Sequence, residues 1–107
     1  MIYLITPYSN PDPKVVEARY EAACRAAGKL MGEGEIVFSM IAHTHPIASF
    51  CALPKDWAYW ERFCTEFIAM AEKVVVLTLP GWETSTGVQA EIKIAEKLGK
   101  HVAYLNP

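Results

Sequence analysis

The chain predicts an α/β fold with a parallel sheet covered by helices on both faces. Three observations predict it. Short β-branched and aromatic runs alternate with longer segments of helical periodicity, in the order β-α-β-loop-α-β-α-β. The run "KVVVLTL" (Lys73 to Leu79) is apolar on both faces, as a central parallel strand should be. The chain has 107 residues, which is room for one core and not for two, so residues 1–107 are read as a single domain.

Each element has its own signal. "IYLIT" (Ile2 to Thr6) is a buried strand that ends at Pro7. Asp12-Pro13 opens a helix, since Asp caps and Pro suits the first helical position. Val16, Tyr20, Ala23, Ala27, Leu30 and Met31 form its apolar stripe, with Cys24 expected in the core, and Gly32 and Gly34 stop it. "EIVFS" (Glu35 to Ser39) is the second strand. "MIAHTHPIASFCALPKD" follows without periodicity and reads as a long functional loop. A helix from Lys55 to Ala71 places Trp57, Trp60, Cys64, Phe67 and Ala71 on one stripe. After the central strand, Pro80-Gly81 turns the chain into a helix from Thr86 to Leu98. Gly99 caps it, and "HVAYL" (His101 to Leu105) is the last strand. In such sheets ligands bind beyond the carboxyl ends of the strands. The loops there are Pro7 to Asp12, Met40 to Pro54, and Pro80 to Ser85.

Composition narrows the function classes. Hydrophobic residues make up 52% and charged residues 21%, which is ordinary for a globular protein. The aromatic share of 11% points to rings buried against a partner or ligand, and so towards an oligomer. The net charge is −2 and no basic stripe exists, which argues against a nucleic acid duplex as partner. A small nucleotide stays open, because backbone amides alone can hold one phosphate. The N-terminus does not read as a signal peptide and no run is long enough to span a membrane, so a soluble cytoplasmic protein is expected. The three cysteines are odd in number and irregularly spaced, so free thiols are expected rather than disulfides or a zinc ribbon.

One charge stands out. On a wheel of about 3.6 residues per turn, Val88, Ile92, Ala95 and Leu98 share an arc, and Glu91 lies in its middle. Either the helix rolls to bring the carboxylate to water or a buried cation, or the carboxylate belongs to a pocket. A buried unpaired carboxylate is costly and marks sites more often than chance. Thr84, Ser85 and Thr86 supply hydroxyls and a cap just before it, and with Gly87 they form a helix start suited to an anion. Glu91 then lies roughly 9 Å further along the helix axis.

Other residues carry weaker signals. His43 and His45, if extended, would face the same side, but no third ligand is near and metal binding is not expected. Hydrogen bonding to a base or sugar, or general acid chemistry, suits them better, and so does a purely structural role. Trp57, Tyr59 and Trp60 could stack on a nucleobase, but the helix stripe of Trp57 and Trp60 favours the core or an interface. Trp82, in the loop after the central strand, is expected to wall the pocket. Tyr8, Ser9 and Asn10 are candidates for sugar or phosphate contacts.

Three stretches carry a resemblance: "IYLITPYS", "SMIAHTHPIA" and "VVVLTLPGWETSTGVQAEIKIA". The chain resembles the nucleoside 2-deoxyribosyltransferase-like superfamily, and within it the small bacterial and phage branch called DUF1937. The resemblance implies a flavodoxin- or Rossmann-like three-layer sandwich with a mainly parallel sheet of four to five strands. It implies cleavage or transfer at the N-glycosidic bond of a nucleoside or its 5′-monophosphate, without metal or cofactor. Glu91 would be the nucleophile, Tyr3 would orient it, and Ser85 would contact the 5′-phosphate. The family's Asp, which serves the leaving base, falls on Cys64 here. That departure keeps open a second reading, a nucleotide-binding module without turnover. The resemblance also implies a homo-oligomer, a dimer or tetramer.

Overall fold

The computed structural model describes Met1–Pro107. Four parallel strands form one sheet: β1 (Ile2–Ile5), β2 (Val37–Ser39), β3 (Lys73–Leu77) and β4 (His101–Leu105). Their spatial order is β2-β1-β3-β4, so the winding reverses between β1 and β3. Tyr3 lies opposite Phe38 on one side and Val74 on the other. β1 is buried throughout and β3 from its second residue on, which explains why their sequences are apolar at every buried position. The result is a flavodoxin/Rossmann-like α/β sandwich, at the four-strand end of the expected range.

Alternation along the strands divides the core in two. Ile2, Leu4, Val75 and Leu77 face α1 (Pro13–Gly32), where Ala27 meets them. Tyr3, Ile5, Val74 and Val76 face α3 (Trp57–Met70) and α4 (Thr86–Lys97), and pack on Ile68, Val88, Ile92 and Ala95. Helix starts follow the sequence chemistry. Asp12 accepts from the Lys14 amide ahead of Pro13, and Ser85 accepts from the Val88 amide. No helix is long and apolar enough to cross a membrane.

Three expectations need correction. The segment after β2 is not a loop: α2 occupies Met40–Phe50. Ser39 caps it by accepting from the Ala42 amide at 3.1 Å, while Thr44 and Ser49 donate their hydroxyls back to the carbonyls of Met40 and His45. The Ser39 cap and packing against α1, β1 and β2 sustain a helix that contains Pro46 and few strong helix formers. Cys24 is exposed rather than core. The buried line of α1 runs through Ala23 and Ala27, and Cys24 is rotated away from it by about 100°. Met31, at the end of the same stripe, is 53% exposed. It lies in the last turn, beyond Ala27, where α1 leaves the sheet.

Candidate active site

The ends of β1, β2 and β3 open onto a cleft of about 710 Å³ at the switch point of the sheet. Its lining includes Thr6 and Tyr8 after β1, Met40 and Thr44 of α2, Trp57, Trp60 and Cys64 of α3, and the run from Thr84 to Val88 with Glu91. Each position follows from local structure. Pro7 ends β1 and sends Tyr8, Ser9 and Asn10 across the mouth. The turn at Gly81, with φ of +93°, swings the chain after β3 into the α4 N-terminus.

Glu91 is 8% exposed, on the face of α4 that packs against the sheet. The Tyr3 hydroxyl donates to its Oε2 at 2.5 Å. Burial pushes the Glu91 carboxyl up from 4.5 to about 7, and hydrogen bonds from Tyr3 and Cys64 pull it part of the way back. No lysine or arginine pairs with it, so the carboxylate is held by neutral donors alone. The Tyr3 phenol is raised well above its ordinary range, by its own burial first and then by the charge of Glu91. The Cys64 thiol is pushed up to about 12 by burial and by the same charge. Cys64 therefore stays protonated at neutral pH and is neither a nucleophile nor a strong acid.

The start of α4 forms the second part of the site. Val88 donates its amide to Ser85 Oγ, and Gln89 donates to the Ser85 carbonyl. The amides of Thr86 and Gly87 precede the first intrahelical bond and are the free donors of this terminus. A side chain at Gly87 would meet no atom within 4 Å, so its backbone is approachable. The Ser85 hydroxyl accepts from Val88 and keeps its own proton to donate. Together these groups present hydrogen-bond donors of a kind suited to an anion on the wall that carries Glu91.

Several sequence-based expectations are relocated. Trp82 does not line the cleft. It sits in a short 3-10 turn, Trp82–Thr84, with its ring 5.5 Å from that of Tyr104 on β4. His43 and His45 do not face the same side. On a helix two residues apart point about 200° away from each other. His43 is exposed beside Phe38. His45 lies behind Tyr8, with both ring nitrogens engaged: Nδ1 with the Tyr8 hydroxyl at 2.6 Å and Nε2 with Glu17 at 2.9 Å. Tyr8, Ser9, Ser85 and Gly87 do line the cleft with Glu91.

Two further groups stand at the cleft. Trp57 packs against the core, as expected, and also lines the cleft, and Trp60 lines it too. The Trp60 indole is steered by donating to the Pro54 carbonyl at 2.8 Å. Thr6 Oγ1 is buried without a protein partner and belongs to the same lining, which marks it for a ligand polar group. Trp60 and Trp57, four and seven residues before Cys64 on one stripe, and a Thr just after the first strand, were the available signals.

Fold and site thus describe a parallel α/β protein with a buried carboxylate and a helix N-terminus facing one cleft. Over residues 1–106 the chain matches the family described as "Domain of unknown function (DUF1937)", and it belongs to that family. No curated protein matches the chain.

Proposed function

We propose that the protein cleaves or transfers at the N-glycosidic bond of a nucleoside 5′-monophosphate, in the manner of the nucleoside 2-deoxyribosyltransferase-like superfamily. The carrying observation is Glu91, buried at the cleft wall with Tyr3 donating to it and no cation beside it. A binder of anionic ligands gains nothing from such a group. A reaction that develops positive charge at an anomeric carbon does: the carboxylate stabilises the oxocarbenium-like state and traps it as a glycosyl ester.

The remaining groups suit the rest of that substrate. Ser85 with the Thr86 and Gly87 amides takes the 5′-phosphate, roughly 9 Å along α4 from Glu91. Trp57 and Trp60 offer faces for the base. Phe50 and Ile36, 90% and 74% exposed, support a homo-oligomer as part of the same proposal. Cys64, which stays a thiol, supports the second reading, a nucleotide-binding module without turnover.

The test is a panel of nucleosides and 5′-monophosphates, ribo and deoxy, with and without an added free base, read by chromatography for released or exchanged base. Release from a monophosphate is expected. Glu91→Gln should lower that rate by roughly a thousand-fold or more while the circular dichroism spectrum is unchanged. A fully active Glu91→Gln would remove the nucleophile assignment. Tight binding of a panel member with no turnover would favour the binding module.

A further inference from the structure

Breaking a glycosidic bond to a base leaves an electron pair on the base nitrogen, and that nitrogen needs a proton. Cys64 cannot meet the need as a weak acid at neutral pH. Glu61 and Glu66 on α3 and Asp56 at its N-cap are all exposed, and none of them lines the cleft. One hydrogen-bonded chain does reach the cleft. Glu17 Oε2 lies 2.9 Å from His45 Nε2, and His45 Nδ1 lies 2.6 Å from the Tyr8 hydroxyl. Tyr8 lines the cleft, while Glu17 is exposed at the far end.

We propose that Tyr8, His45 and Glu17 form a proton relay that supplies the leaving base in the glycosidic reaction. The inference rests on the proposed function above.

The parts have the geometry of a relay. Glu17 on α1 fixes Nε2 as the protonated nitrogen that faces it, which leaves Nδ1 to exchange a proton with the phenol. Tyr20, one turn further along α1, stacks on the imidazole with ring centroids 4.1 Å apart and an interplanar angle of 24°. Tyr8 meets the ring edge-on, at 5.7 Å and 81°. The titratable groups facing His45 are thus Glu17 and Tyr20 from α1 and Tyr8 from the first loop. Tyr8 alone would be a poor acid, because burial and the Glu17 charge raise its phenol. With an imidazolium behind it, Tyr8 passes a proton on without accumulating as phenolate.

The step balances. Glu91 forms a bond to the anomeric carbon as the carbon–nitrogen bond breaks, and the electron pair leaves with the base. The base nitrogen takes the Tyr8 phenolic proton, and Tyr8 takes the Nδ1 proton of the His45 imidazolium. His45 ends neutral, keeping the proton on Nε2, which stays hydrogen-bonded to Glu17. In the second half, water attacks the anomeric carbon and the bond to Glu91 breaks. The carboxylate is released, and the water's proton returns through Tyr8 to His45.

Tyr8 is then a catalytic residue, and His45 and Glu17 are positioning residues that act through it. The test compares two leaving groups on one sugar 5′-phosphate: the natural base cleaved best, and 4-nitrophenolate, which departs without a proton. Tyr8→Phe should lose at least about a hundred-fold in kcat on the natural base with KM little changed, and less than about three-fold on 4-nitrophenolate. Glu17→Gln, at an exposed position, should show the same pattern with a smaller loss. Equal losses on both substrates would reduce the trio to a structural tie and overturn the relay, as would full activity of Tyr8→Phe on the natural base. A wild-type protein that cleaves neither substrate would remove the glycosidic reading itself, and the relay with it.

Discussion

Ser85 has two roles to separate, the helix cap that the fold shows and the phosphate donor of the proposed function. Its oxygen accepts from the Val88 amide at 3.3 Å and caps α4, and its proton is left for a ligand. Truncation should therefore have two separable effects. Ser85→Ala loses the cap and about 1 kcal/mol of stability, while Ser85→Gly keeps most of that stability because glycine is tolerated at the cap. Both variants lose the donor to the phosphate. A hydrogen bond to a charged group contributes about 1.5–3 kcal/mol, so both should raise KM for monophosphates by roughly ten-fold or more and leave free nucleosides nearly unchanged. Steady-state kinetics on the paired substrates decides the matter. Equal effects on nucleosides and monophosphates would take the phosphate away from this helix start. Residues of this kind were legible in the sequence because they follow from one element alone. Ser85 caps the helix it precedes, and Glu91 betrays itself on the wheel of that same helix. The partnership of Tyr8 with His45 and Glu17 was not legible, because α1, the first loop and α2 meet only in the folded chain.

At the scale of elements, Arg19 clamps two of the loops that frame the cleft. From α1 its guanidinium donates to the Ser9 carbonyl at 2.9 Å and to the Pro80 carbonyl at 3.2 Å. Gly81 makes room for it: a Cβ there would lie 2.8 Å from the Arg19 nitrogen that bonds Pro80. The same glycine holds φ at +93°, which other residues adopt only with strain. Gly81→Ala thus combines backbone strain with a displaced clamp, and should cost about 1–3 kcal/mol and lower Tm by roughly 5–15 °C. The two contributions separate in a double-mutant cycle with Arg19→Ala. In that background Gly81→Ala should cost only the strain, and thermal melts showing the full cost there would reject the clamp. The Pro80-Gly81 turn was readable from its dipeptide. By contrast α2 was hidden, since Pro46 and a run of His, Thr and Ser oppose helix by propensity. What sustains it are the Ser39 cap and packing against α1, β1 and β2, neither of which has a periodic signature.

For the whole molecule, Glu91 links the site to global stability through pH. Its carboxyl titrates at about 7 in the folded protein and at 4.5 when exposed. Below pH 4.5 both states hold the proton and burial carries no ionisation penalty. Between 4.5 and about 7 the unfolded chain ionises while the folded one keeps its proton, so stability falls as pH rises. Above 7 both are ionised and the full penalty stands, about 3 kcal/mol at roughly 1.4 kcal/mol per pH unit. Glu91→Gln keeps an acceptor for Tyr3 and never ionises. It should match the wild type near pH 4.5 and exceed it at pH 8 by on the order of 10 °C in Tm. Comparing the two proteins cancels the other carboxylates, which titrate alike in both. Melting curves that stay parallel from pH 4.5 to 8 would mean that Glu91 ionises without penalty and that water reaches it. Curves that diverge above pH 5 would show the fold weakened at the pH where the Glu91 carboxylate ionises. In the proposed reaction, the strain on that charged form would be released as positive charge develops beside it, tying the instability of the resting protein to the stabilisation of the transition state.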